Sequence, residues 1–313
     1  MSSQTDRRSF IKGAAAAGAA IALGASALRA TEAAPPGNAA SDGALPKGRI
    51  RNLEISRILL GGNLLTHYTH SRDLPYVYNL ARHYNTKEKI FDTIQAAEAN
   101  GINALVIHTA EGVLNLMKEY RQKRKGKMQW IICSTAPIED AAKYGQSLRE
   151  MVDAGADAVY VWGVHSDGLT AQGKTAVIGR AVEMGKATGV PCGVGGHELR
   201  VVQECEKAKI DADFYIKTLH HHKYPSAKLN YDSMWCTQPK ETIEFMAAVS
   251  KPWIAFKVMA AGAIPPEDAF RYVFTNGADF SLAGMFDFEI EEDVQIARRV
   301  LSSISSRTRP WRA

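Results

Sequence analysis

Eight of the nine histidines in this chain stand just beyond short apolar runs: His67 and His70, His108, His165, His197, and the triplet His220-His221-His222; only His83 lies apart. Imidazole titrates near neutral pH and is the commonest metal ligand, so histidines sorted in this way point to proton transfer or metal binding. Two lysines belong with them. Lys217 follows Phe214-Tyr215-Ile216 and Lys257 follows Ile254-Ala255-Phe256, which gives them matching positions on neighbouring segments. If both face one low-dielectric mouth, repulsion and desolvation lower one pKa and yield an amine able to form a Schiff base. The same pair also suits an anion site or salt bridges to acidic loops. Lys217, Lys257, His197 and His220 are the candidate catalytic residues.

His197, Glu198 and His220 also form a candidate ligand set for a divalent metal, zinc or manganese, with His70 or His165 added from across the mouth. Their spacing matches no short ligand motif. His197-Glu198 reads equally as a helix start, where a carboxylate is favoured by the dipole. Asn63, His70, Arg72, Asp73 and His165 are candidates for orienting the hydroxyls of a small substrate, and Trp235 for stacking on a sugar face.

The scaffold that must gather these residues is announced by a repeated phrase. A helical stretch ends in a glycine, one more residue, Asn or Asp, and then a strand: Gly101-Ile102-Asn103-Ala104, Gly155-Ala156-Asp157-Ala158 and Gly277-Ala278-Asp279-Phe280, with a weaker copy at Lys209-Ile210-Asp211-Ala212. Glycine ends a helix by entering the left-handed conformation without a Cβ clash. Eight strands are expected, at 56–61, 104–108, 129–134, 158–163, 191–195, 213–218, 253–258 and 279–283, with helical patterns between them. That order predicts an α/β protein with a single-domain (β/α)8 TIM barrel, whose chemistry sits at the carboxyl ends of the strands. Residues 66–85 form a long aromatic and charged insertion on that face.

The ends and the composition bound the rest. Asp6-Arg7-Arg8-Ser9-Phe10-Ile11-Lys12 resembles a twin-arginine export signal, and the Ala/Gly-rich stretch after it is too short to span a membrane well. The expected organisation is a signal peptide over 1–33, a linker over 34–48 and the barrel over 49–313. This implies the twin-arginine translocase as a partner during export, a periplasmic or otherwise extracytoplasmic location, and no stable membrane span. The formal charge of +5 includes the export arginines and a basic cluster at 121–127 that ends a helix. No basic stripe interleaved with aromatics is present, which argues against a nucleic-acid partner. The four cysteines show no CxxC spacing and read as buried thiols.

Two family resemblances follow. From His165 onward the chain resembles the aldo-keto reductase superfamily: Val164-His165-Ser166-Asp167 at its strand-four histidine, Val190 to His197 at its strand-five turn, and Lys257-Val258-Met259-Ala260-Ala261-Gly262 at its strand-seven segment. The family's pattern has an aspartate and a tyrosine after strand two and a lysine after strand three; here His108-Thr109 and Cys133-Ser134 stand there. Its cofactor-phosphate loop after strand eight is not evident in Gly284-Met285-Phe286-Asp287. NADP therefore ranks behind a divalent metal among the cofactors the sequence suggests. Around Ala212-Asp213-Phe214-Tyr215-Ile216-Lys217-Thr218 the chain is similar to the Schiff-base strand of deoxyribose-phosphate aldolases, with Lys257 matching their second lysine.

These readings predict an exported barrel enzyme acting on a carbohydrate-like hydroxy-carbonyl compound by redox-neutral acid–base chemistry: lyase, isomerase, epimerase or hydratase. The alternatives are an aldo-keto-reductase-like NADP-dependent oxidoreductase and a non-catalytic extracytoplasmic sugar-binding barrel.

Overall fold

A computed structural model describes residues 44–227 and 233–313. The signal peptide and most of the expected linker lie outside the described residues. Eight parallel strands close into a barrel: β3 (Ile58–Gly61), β4 (Ala104–His108), β5 (Gln129–Cys133), β6 (Ala158–Val161), β7 (Cys192–Gly196), β8 (Tyr215–Thr218), β9 (Trp253–Phe256) and β10 (Phe280–Ala283), with β10 pairing back onto β3. Ten helices accompany them among the described residues: α1 (Pro75–Tyr84), α2 (Lys87–Ala99), α3 (Val113–Arg124), α4 (Ala141–Asp153), α5 (Gly163–Ala171), α6 (Thr175–Lys186), α7 (Leu199–Lys207), α8 (Pro239–Ala248), α9 (Pro266–Thr275) and α10 (Ile290–Ser303). The eight expected strands are all present, most of them trimmed by one or two residues at their ends.

An antiparallel hairpin precedes the barrel and was not expected. Its strands are β1 (Lys47–Ile50) and β2 (Leu53–Ser56), so among the described residues regular structure begins at Lys47, inside the stretch read as linker. The Glu54 carbonyl accepts hydrogen bonds from the Asn103 and Gln129 side chains, at the starts of β4 and β5, so the hairpin covers the amino end of the barrel. Ile50, Leu53 and Ile55 join Leu59, Ile131, Phe214, Ile254 and Phe280 in one apolar cluster that fills the lumen. A plug of this kind keeps water from the amino end and leaves the carboxyl end as the open mouth.

Alternation along the strands divides the core in two. Leu59, Val106, Ile131, Tyr160, Ile216 and Ile254 point into the lumen; Leu60, Ile107, Ile132, Val161, Tyr215 and Trp253 point to the helices. The repeated phrase has a structural use. Gly101, Gly155 and Gly277 end their helices with φ of +90°, +96° and +97°, and Lys209 holds the equivalent place with φ +54°. In the three glycine copies the carboxylate or amide accepts a backbone N–H at, or just ahead of, the start of the preceding strand: Asn103 from Ser56, Asp157 from Trp130 and Asp279 from Trp253. In the weaker copy Asp211 is exposed and pairs with Lys186, and Asp213, two residues on, accepts the Cys192 N–H in its place. Each glycine copy therefore stitches one βα unit to the last, and Asp213 does the same after the weaker copy.

Asp279 carries the largest load. Fully buried, it also accepts from Arg309 at 2.6 Å and from the Arg312 N–H at 2.7 Å. Replacing it by alanine strands buried guanidinium charge. Asp279→Ala should lower the unfolding free energy by about 3–5 kcal/mol, read by urea denaturation of the mature protein. An unchanged midpoint would show that this ionic cluster is dispensable.

Candidate active site

The carboxyl ends of the strands surround a cavity of about 590 Å³. Of the expected site residues, Asn63, His70, His197, Trp235 and Lys257 line it, together with Tyr68, His108, Trp162, Ser233 and Phe286. Its best-organised group is a histidine–carboxylate pair. His197 follows β7, and its Nδ1 lies 2.6 Å from Asp167 Oδ2 on α5. The same carboxylate accepts the backbone N–H groups of His197 and Glu198, at 3.0 Å each, ahead of α7. Asp167 thus caps one helix and orients one imidazole. Gly163 makes room for the ring, since a Cβ there would stand 3.1 Å from His197 Cε1. With Nδ1 held as the donor to Asp167, Nε2 is the nitrogen left to exchange a proton with a bound molecule. Burial pushes the His197 pKa down, and the Asp167 hydrogen bond opposes that shift in part.

Lys257 stands beside it. The residue follows β9 in a left-handed turn, φ +59°, which takes it out of the strand's alternation and onto the cavity wall. Its Nζ donates to Ser233 Oγ and, at 3.0 Å, to the Met234 carbonyl, and it lies over the rings of Trp235 and Phe256. The opposite wall is aromatic. His108, at the end of β4, stacks on Trp162 with centroids 6.4 Å apart, and Tyr68 meets its edge. Desolvation lowers the His108 pKa. The insertion after β3 joins the two walls: Tyr68 meets His108 on one side, and on the other His70 Nε2 lies 3.2 Å from Ser233 Oγ and its ring meets Trp235.

The other expected residues lie elsewhere. Lys217 and Lys257 do not oppose one another, because the register pairs Lys217 with Ala255. Lys217 follows Tyr215 on the helix-facing side of β8, while Ile216 takes the lumen side. Its Nζ donates to the Thr218 carbonyl and hydroxyl at 2.9 and 2.8 Å, and only 1% of the residue is exposed. This placement removes the paired-lysine geometry. His220 is also outside the cavity lining: Nδ1 donates to the His221 carbonyl and Nε2 accepts the Cys236 N–H. His221 bonds Asp268 and His222 bonds the Cys236 carbonyl, so the triplet staples the segment after β8 in place. Arg72 is buried and ties the insertion to that segment, bonding Ser226 and Tyr224 and stacking on Trp235. Asp73 is exposed, and His165 packs behind Trp162 on α5.

The metal set does not assemble. Glu198 is exposed, both His220 nitrogens are bonded, and His197 Nδ1 is committed to Asp167. Among the described residues no group of three His, Cys, Asp or Glu side chains could hold an ion. Nor do the residues fit a nucleotide phosphate after strand eight. α10 begins there with Glu291, Glu292 and Asp293 in its first turn, and Glu289 precedes it. Asp167 was the residue missed as a site member. The signal available was its position after strand four, next to the strand that carries His197.

Residues 4–24 match the model for the twin-arginine translocation pathway signal sequence, and the chain is exported by that route. No curated protein matches the chain in sequence. Among the described residues no helix is long and apolar enough to cross a membrane. Solved structures share the fold. A Pseudomonas aeruginosa protein assigned to the aldo-keto reductases superposes with a TM-score of 0.58 at 16% identity, over 83% of this chain and 96% of its own. An aldo-keto reductase from Bacillus halodurans, in holo form, gives 0.54 at 10%, over 86% and 100%. The fold is thus an aldo-keto-reductase-like TIM barrel.

Two titrations check this geometry. The His197 imidazole should remain neutral at pH 7 with Nδ1 protonated, and Asp167→Asn should lower its pKa further; nitrogen NMR reads both, and a rise would contradict the pairing. Burial lowers the His220 pKa to about 4 from an ordinary 6.5. Between those values the unfolded chain takes a proton that the folded chain refuses. The stability from neutral His220 is complete above pH 6.5 and is lost as pH falls towards 4, by roughly 3 kcal/mol. His220→Gln should flatten that part of a urea-midpoint profile, and a profile identical to that of the parent protein would contradict the staple.

Proposed function

We propose that the mature protein is an extracytoplasmic enzyme that binds a small hydroxy-carbonyl compound in the barrel mouth and moves a proton through His197, without hydride transfer. The observation that carries this is the 2.6 Å contact between Asp167 and His197 Nδ1 in the cavity wall. A carboxylate that fixes the tautomer and orientation of an imidazole makes its other nitrogen an acceptor of defined direction. Nε2 takes the proton beside the substrate carbonyl. The imidazolium so formed is stabilised by its hydrogen bond to the Asp167 carboxylate. Lys257, on the same wall, offers an ammonium to the enolate oxygen as charge develops there. Trp162 supplies a flat apolar face against which a ring can lie, with Asn63 and His70 as hydroxyl partners.

Returning the proton to the same carbon face gives exchange and to the other face epimerisation; delivery to the former carbonyl carbon, with the hydroxyl proton passed from the neighbouring oxygen to the old carbonyl oxygen, gives isomerisation; loss of a leaving group gives a lyase or hydratase. An NADP-dependent oxidoreductase is the second reading, favoured by the structural likeness to aldo-keto reductases. Against it stand the carboxylates at the start of α10.

Incubating the mature protein in deuterium oxide with a panel of aldoses, ketoses and 2-keto acids tests the first reading. Carbon-bound deuterium should appear beside the carbonyl of at least one compound. His197→Ala should slow that exchange by about 10²–10⁴-fold, while Lys217→Ala leaves the site chemistry in place. Saturable quenching of protein fluorescence by NADPH, with no exchange on any compound, would favour the second reading and overturn the first.

A further inference from the structure

The cavity has a second pole, away from His197. Between the loops after β9 and β10 its wall is built by Pro265, Pro266, Gly284, Phe286, Glu289 and Asp293. Asp293 is 6% exposed and lies on the buried face of α10 with Ile290 and Val294. Its neighbours have partners. Asp287 bonds Lys89 and Tyr84, each at 2.7 Å, and Glu289 Oε2 accepts the Phe286 N–H. The Asp293 carboxylate has no hydrogen bond or ion pair among the described residues. Burial, with Glu289 and Glu292 close by, raises its pKa to about 7. A buried carboxylate left without a partner is costly, and a cation seated against it removes the cost.

We infer that this pole binds the ammonium group of an organic ligand, held by the Asp293 and Glu289 carboxylates beside the ring of Phe286. The combination is selective. An aromatic face attracts an ammonium through its quadrupole, and the Phe286 ring is backed by Phe288, parallel to it at 5.4 Å. Calcium takes about six to eight oxygen ligands, and among the described residues no group of three His, Cys, Asp or Glu side chains could hold an ion. A phosphate or carboxylate meets like charge. The substrate class becomes an amine-bearing hydroxy-carbonyl compound, amino sugars among them, with its amine at the Asp293 pole and its reacting carbon towards His197. The inference rests on the cavity being the ligand site, as proposed above, but not on His197 acting as a base.

Ethanolamine and its neutral isostere ethylene glycol separate the possibilities when titrated into the mature protein and followed by amide NMR. Ethanolamine should shift the Gly284 and Phe286 amides saturably and bind at least about five-fold more tightly than the diol. Asp293→Asn should erase that difference. Glu289→Gln, at an exposed position, should reduce it without touching the core. His197→Ala should leave it intact, which separates this test from failure of the proton-transfer reading. Equal responses to amine and diol, no response to either, or a preference that survives both carboxylate substitutions would overturn the inference.

Discussion

In a closed barrel each strand residue has two destinations, the lumen or the helix layer, and neighbours in the chain must alternate between them. Everything at the mouth of this protein depends on that constraint. It sends Ile216 inward and Lys217 outward, so the lysine that looks most reactive in the sequence spends its donors on Thr218. Residues past the strand ends escape the rule. His197 and Lys257 reach the cavity because each lies just beyond its strand, Lys257 through a left-handed turn.

The mouth is held together by polar groups that serve two structures at once. Asp167 caps α7 and fixes the His197 ring. The histidine triplet and Arg72 secure the segment after β8, which carries Ser233 and Trp235 to the cavity. The result is a site with two electrostatic poles: imidazole and ammonium at the β7–β9 side, and carboxylates at the start of α10. That polarity suits a small dipolar ligand that spans the cavity. It departs from the phosphate-binding chemistry implied by the resemblance to aldo-keto reductases, although the backbone follows those barrels over most of its length.

The fold was legible because its signals are local. Gly101, Gly155 and Gly277 mark helix ends, and the apolar runs after them are too short for buried helices. The hairpin at Lys47–Ser56 was not legible, since its strands are only four residues each and their value comes from distant lumen partners such as Phe214 and Phe280. In the site, His197, Asn63, His70, Trp235 and Lys257 could be found from strand ends alone. Lys217 was misplaced for want of counting parity from Phe214. His220 looked like a ligand because sequence does not show that Cys236, sixteen residues on, supplies its hydrogen-bond partner. Asp167 and Asp293 stayed hidden for the same reason: their importance lies in what they face.

Histidine labelling by diethyl pyrocarbonate at neutral pH, located by peptide mass spectrometry on the folded mature protein, tests the central geometry most directly. The reagent acylates neutral imidazole at an accessible nitrogen. With Nε2 of His197 opening into the cavity and both His220 nitrogens bonded, the label should reach His197 and spare His220. Modification of His220 with His197 untouched would contradict the account.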